Sequence, residues 1–301
     1  MKAIEKRIIK GHEVSFLGFG ALEIGRDWGF VDRTRPKEAE ALNLIQEVLN
    51  SGINLIDTAS AYHLSEERIG KFIKENGKNF FLASKCGEHN QDNSTYYDFS
   101  YQAVSDSIER SLKLLNVKEL DLLQIHFGPN AEQVIKDGET YKAMAETKDA
   151  KKVKLLGASI DGALAKECIL SGNFDCMQMT FNLLDTSNFA NIRLCQERNI
   201  GVLIKGPFAQ GKLTPKVFDI LAGDKLQPKE RAKLTALLEV CNGDADILMN
   251  CAMQLLYRDE AISSVLAGTK NISHFQKNIK LLETPLDEKI FQAVKRIAFA
   301  N

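Results

Sequence analysis

No stretch of the 301 residues approaches the roughly 18 consecutive apolar residues that a membrane-spanning helix requires, so a bilayer-embedded helical protein is excluded. The first residues, Met1-Lys2-Ala3-Ile4-Glu5-Lys6-Arg7, carry no apolar run, and no secretory leader is expected. Charge of one sign is also missing. Lys and Arg total 39 against 40 Asp and Glu, a formal net charge of −1, which argues against nucleic acid or an anionic membrane surface as a partner. The six cysteines are scattered without CxxC spacing, as expected of buried free thiols in a reducing compartment, and a cytoplasmic location follows as an expectation. Five histidines show neither HxH nor HExxH spacing, so no metal site is expected. The GxSxG elbow of serine hydrolases is absent. So are the phosphate-binding loop and the GxGxxG fingerprint, for which Gly18-Phe19-Gly20 supplies only the first half.

What is present is a supersecondary rhythm. Short, almost continuously apolar runs recur at Phe16 to Phe19, Ile53 to Ile56, Phe80 to Ala83, Leu120 to Ile125, Val153 to Ala158, Phe174 to Met179, Gly201 to Ile204 and Ser264 to Leu266. Apolarity on both faces marks strands covered on both sides, as a parallel sheet requires. Helical segments lie between them. After Ser100, Val104, Ile108, Leu112 and Leu115 fall on one stripe, and another helix has Pro36 near its start and Ser51-Gly52 at its end. Eight strand–helix units of about 38 residues fit a single (β/α)8 barrel domain spanning 1–301. A doubly wound open sheet is the alternative, and it lacks its glycine signature. Lys10-Gly11-His12 is expected to turn a short N-terminal hairpin capping the barrel's bottom, and an extra C-terminal helix is expected over Leu286 to Phe299.

In such a barrel, chemistry belongs just past the carboxyl ends of the strands. Reading only those positions gives Asp57 after strand two, Tyr62 in the following loop, Lys85 after strand three and His126 after strand four. Any one of these has an ordinary structural explanation: a buried ion pair, a rim aromatic, a core histidine. Four polar groups at adjacent strand ends would carry a large desolvation cost without a function. Their chemistry also interlocks. A phenol titrates at about 10, and a neighbouring ammonium is expected to lower that value, with a carboxylate beyond keeping the ammonium charged.

Ile56-Asp57-Thr58-Ala59-Ser60-Ala61-Tyr62-His63-Leu64-Ser65-Glu66 resembles the DTAxxYGxSE segment of aldo-keto reductases. Ala83-Ser84-Lys85 and Leu122-Leu123-Gln124-Ile125-His126 resemble that family's lysine and histidine segments, and the likeness runs from about Val14 to Leu282. The resemblance implies a TIM-barrel NAD(P)H-dependent oxidoreductase acting on an aldehyde, ketone or sugar carbonyl, with Asp57, Tyr62, Lys85 and His126 as its tetrad. His63 stands where the family usually has glycine.

The same resemblance implies where a cofactor lies. Ala21 and Leu22 follow strand one, and Ser159 and Gln178 match the strand ends that hold the nicotinamide carboxamide, although Ile160 replaces the asparagine often found after that serine. Lys205, Gly206, Pro207, Phe208, Gln210 and Gly211 match the loop beneath nicotinamide and pyrophosphate, with Lys205 in place of a frequent stacking aromatic. Gly268, Thr269, Lys270, His274, Lys277 and Asn278 match the adenosine-binding segment; its lysines imply NADP, with NAD as the alternative, and no arginine stands at the His274 position. Leu22, Trp28 and Phe127 are placed to line an apolar substrate pocket. Two other readings are a cofactor-binding regulatory module of the same fold and a sugar 1-dehydrogenase.

Overall fold

The structure is a computed structural model describing residues 4–28, 34–92 and 94–300. An N-terminal hairpin, β1 (Lys6–Ile9) and β2 (His12–Ser15), precedes β3 (Leu17–Gly20), α1 (Glu38–Asn50), β4 (Leu55–Asp57), α2 (Ser65–Asn76) and β5 (Phe81–Cys86). A second hairpin, β6 (Glu88–Gln91) and β7 (Ser94–Tyr97), leads into α3 (Tyr101–Leu114) and β8 (Leu120–His126). There follow α4 (Ala131–Asp137), α5 (Glu139–Asp149), β9 (Val153–Ser159), α6 (Gly162–Ser171), β10 (Cys176–Thr180), α7 (Phe189–Glu197) and β11 (Gly201–Lys205). The chain then forms α8 (Val217–Ala222), α9 (Pro228–Val240), α10 (Ala245–Tyr257), β12 (Ser264–Gly268), α11 (Ile272–Glu283) and α12 (Glu288–Phe299).

Eight strands close into a parallel barrel in the order β3-β4-β5-β8-β9-β10-β11-β12, the expected (β/α)8 architecture. Each apolar run read from the sequence lies on one of them, but the paired strands are shifted toward their polar ends. β4 and β10 start two residues later than their apolar runs, and β5 extends through Lys85 to Cys86. Apolarity reports burial, whereas pairing follows the backbone hydrogen-bond ladder, which continues past the last apolar residue.

The helices shield the outer face of the barrel. On α3, Val104, Ile108 and Leu112 are buried as a stripe, and Leu115 is buried just beyond its end; Ser100 caps its first turn. Gly52, at φ 90°, takes the left-handed turn that ends α1. The hairpin β1–β2 turns at Lys10 and Gly11, both at positive φ, as a two-residue turn between twisted strands requires. It plugs the barrel's lower end: Ile9 and Val14 pack with Leu55, Phe81, Leu122, Leu155, Cys176, Leu203 and Leu266. Gly201 permits that approach, since a Cβ there would lie 2.7 Å from Ile9 Cγ2. All six cysteines are free and buried. Among the described residues, no helix is long and apolar enough to cross a membrane.

Candidate active site

Strand periodicity builds the site. Side chains two apart on a strand share a face, so the apolar plug residues are followed toward the carboxyl ends by further inward-facing positions. Leu55 leads to Asp57, Phe81 through Ala83 to Lys85, and Leu122 through Gln124 to His126. Leu155 leads through Gly157 to Ser159, Cys176 to Gln178, and Leu203 to Lys205. The interior changes from apolar to polar within one or two layers. Gly157 makes that layer possible, because a Cβ there would stand 3.0 Å from Gln124 Cγ and 2.9 Å from the Cys176 carbonyl oxygen.

Lys85 and Asp57 are nearly inaccessible, at 1% and 3% exposure. Lys85 Nζ donates to Asp57 Oδ2 at 2.5 Å and to the Thr58 carbonyl at 2.8 Å. The other Asp57 oxygen accepts from Gln124 Nε2 at 2.9 Å and from Gln178 Nε2 at 3.2 Å. Burial pulls the Lys85 ammonium down, but the Asp57 carboxylate and the Tyr62 oxygen outweigh it and hold its pKa above the ordinary value. Lys85 Nζ lies 5.0 Å from the Tyr62 ring centroid, and the Tyr62 ring meets the His126 ring edge-on at 6.0 Å. The structure therefore brings Asp57, Tyr62, Lys85 and His126 together.

The direction expected for Tyr62 is corrected. Burial raises its pKa, Lys85 opposes that, and the Asp57 and Glu88 carboxylates add to it, so the net shift is upward. One ammonium does not offset desolvation when two carboxylates stand behind it, and the phenol stays protonated.

Sequence reasoning missed Glu88. It is 6% exposed, and its Oε2 stands 2.9 Å from His126 Nδ1, while Oε1 accepts from Thr95 Oγ1 at 2.6 Å and faces Arg26 at 3.7 Å. The imidazole contact is close but not aligned as a hydrogen bond, and Nδ1, which is buried, has no other partner. Burial pulls the His126 pKa down; Glu88 opposes this, and Lys85 and Lys205 reinforce it, leaving the imidazole below its ordinary range. A carboxylate three residues beyond Lys85 was a readable signal, because the chain leaving the strand end at Lys85 has to run along the same rim. Gln124 was missed too, although it shares a face with His126 two residues on.

A cavity of about 1510 Å³ opens above these groups, larger than a small substrate alone needs. Tyr62 and His126 line it, and so does every cofactor-end residue read from the sequence except Ala21, which is buried behind the wall with its amide bonded to the Asp57 carbonyl at 2.8 Å. Lys205 Nζ lies 3.3 Å from Asp161 Oδ2 and 3.4 Å from Ser159 Oγ, and Ser159 Oγ donates to Gln178 Oε1 at 3.2 Å. At the far end the cavity is lined by Lys216, Lys270 and Lys277, and burial, reinforced by Lys216 and Lys277, depresses His274. Lys277 is paired with Asp246 at 2.6 Å, and Lys270 donates to the Thr34 carbonyl at 2.7 Å. Glu23 was also missed: it lines the cavity near Gly268, its carboxyl pushed up by burial against the pull of Lys270 and Lys216. Leu22 and Trp28 line the cavity, whereas Phe127 lies outside its wall, stacked on Phe99 at 6.3 Å. Among the described residues, no three His, Cys, Asp or Glu side chains cluster as a metal site would need.

Comparison with known proteins matches this fold. The profile of the aldo/keto reductase family matches residues 16–298, and the chain belongs to that family of oxidoreductases. It is 27% identical over 280 residues to an uncharacterized oxidoreductase of Bacillus subtilis, covering 89% of this chain and 87% of that one. It is 26% identical over 319 residues to L-galactose dehydrogenase of Arabidopsis thaliana, covering 99% and 95% of the two chains. Among solved structures, the holo form of an aldo-keto reductase from Bacillus halodurans superposes with a TM-score of 0.80 at 26% identity, covering 99% of this chain and 97% of that one.

Proposed function

We propose that the protein is a cytoplasmic carbonyl reductase or alcohol dehydrogenase that uses NADP(H), with NAD(H) as the alternative, on a small aldehyde, ketone or sugar. The observation that carries this reading is the convergence of Tyr62, His126 and the buried Lys85–Asp57 pair at one end of a cavity whose other end is lined by Lys216, Lys270 and Lys277. A bound nicotinamide cofactor would supply hydride transfer to or from the substrate carbon. Ser159 and Gln178 would hold its carboxamide, the loop from Lys205 to Gly211 would support nicotinamide and pyrophosphate, and the segment from Gly268 to Asn278 would take the adenosine end.

Tyr62 gives the proton to the carbonyl oxygen in reduction and takes it back in oxidation. A phenol kept protonated by burial is the form able to donate. Lys85 stabilises the phenolate that results, and Asp57 keeps Lys85 charged in a site with little water. His126 orients the substrate oxygen. Leu22 and Trp28 offer an apolar wall.

Similarity to L-galactose dehydrogenase over 99% of the chain favours a second reading, sugar oxidation with NAD(P)+. Rates measured across aldehydes, ketones and aldoses, in both directions and with both cofactors, separate the two. A preference for NADPH is expected from Lys270 and Lys277, and equal dissociation constants for the two reduced cofactors would refute it.

A further inference from the structure

We propose that Lys205 sets the site's response to the charge of the nicotinamide ring, favouring the reduced cofactor over the oxidised one and tilting the bound couple toward alcohol oxidation. Lys205 ends β11 and lines the cavity beside Ser159, Gln178, Tyr62 and His126. Its Nζ donates to Ser159 Oγ at 3.4 Å, and Ser159 Oγ donates in turn to Gln178 Oε1 at 3.2 Å. The carboxylate beside it, with Asp161 Oδ2 at 3.3 Å, is shared. Asp161 also accepts from the Thr180 amide at 2.7 Å, from Thr180 Oγ1 at 3.1 Å and from Asn188 Nδ2 at 2.9 Å, and it stands outside the cavity wall. The cavity therefore meets the ammonium and not the carboxylate. The ammonium's field reaches the reacting end: burial lowers the His126 pKa, and Lys85 and Lys205 add to that.

This inference rests on the nicotinamide reading above. A carboxamide bound by Ser159 and Gln178 would bring its ring next to the Lys205 ammonium. The oxidised ring has a positive charge and the reduced ring has none, while the phosphates, riboses and adenine of the two forms are the same. Attraction between Lys205 and the phosphates therefore adds equally to both forms, and repulsion falls on the oxidised ring alone. An aromatic face at this position would present negative potential to the ring and act in the opposite sense. In oxidation the alcohol carbon passes a hydride, two electrons with one proton, to the ring, and the hydroxyl proton goes to the Tyr62 oxygen, ionised for that direction. The ring loses its positive charge in that step, so a neighbouring cation favours the products. Asp161 offsets part of the repulsion, leaving an expected effect of about tenfold in relative affinity, which is about 30 mV for a two-electron couple.

The test titrates full-length wild type, Lys205→Met, Lys205→Gln and Lys205→Arg by calorimetry, without substrate and at low salt, with NADPH and NADP+ and with NADH and NAD+. The readout is the ratio of dissociation constants, oxidised over reduced, for a pair that binds. The ratio is expected to fall about tenfold in both neutral variants and to stay within about twofold of wild type in Lys205→Arg, which keeps the charge. A ratio unchanged in the neutral variants, even where both affinities weaken together, overturns the proposal, because it leaves Lys205 as a phosphate contact or a support for its loop. A ratio that falls as far in Lys205→Arg as in the neutral variants overturns it too, because the effect then follows shape and not charge. A wild type that binds neither pair overturns the nicotinamide reading and this inference with it.

Discussion

Lys85 Nζ and Asp57 Oδ2 lie 2.5 Å apart across adjacent strands, both side chains sealed inside the barrel mouth. The pair is buried deeply enough that neither charge is tolerable alone. Lys85→Met is expected to destabilise the fold by about 3–5 kcal/mol by leaving Asp57 without its cation. Adding Asp57→Leu to that variant should recover much of the loss. Urea denaturation of the two single variants and the double variant checks this, and additive losses would contradict it.

His63 occupies a left-handed backbone conformation, φ 49°, and its Nε2 is buried without a hydrogen-bond partner. A side chain pays roughly 1–2 kcal/mol for that conformation, and glycine, which the family usually has here, does not. His63→Gly is expected to raise stability by about 1 kcal/mol after glycine's greater unfolded freedom is subtracted. A lower denaturation midpoint would contradict it.

Burial depresses His63, His126 and His274 below their ordinary 6.5. The unfolded chain therefore binds more protons than the folded one just below that pH, and stability falls as pH drops from 6.5 toward the folded-state values. Denaturation midpoints between pH 7.5 and 5 should decline, less steeply in His126→Asn. An identical slope in that variant would show that His126 is not part of the effect.

Lys205 points inward, toward Ser159 and Asp161. Lys205→Met is expected to keep the fold and weaken cofactor or substrate binding about 5- to 20-fold at low salt, with a smaller difference at high salt. Titration of the cofactor and the Michaelis constant at two salt concentrations check it; no change in either at low salt would show that the ammonium plays no part in binding.

Much of the barrel was readable because parallel strands covered on both faces must be apolar throughout, and each of the eight apolar runs became a barrel strand. Asp57, Tyr62, Lys85 and His126 were readable because strand ends and the loops just past them are where such barrels expose polar groups, and the aldo-keto reductase resemblance then matched all four. Glu88 and Gln124 were not found, for different reasons. Glu88 opens a hairpin, β6–β7, whose polar sequence reads as loop and shows no apolar alternation. Gln124 lies inside an apolar run, where one amide looks like an interruption until its inward face is known. The upward shift of Tyr62 depended on counting burial and two carboxylates in space, which sequence adjacency to Lys85 does not show.

The most direct measurement is the rate of Tyr62→Phe with a substrate that the wild type turns over, alongside cofactor affinity. The phenol touches the cavity beside His126, and phenylalanine preserves its packing while removing the only proton it can give. Turnover is expected to fall by about 100- to 10,000-fold, with the cofactor dissociation constant unchanged within about twofold. A variant that keeps more than a few per cent of the wild-type rate would contradict the assignment of Tyr62 as the proton donor.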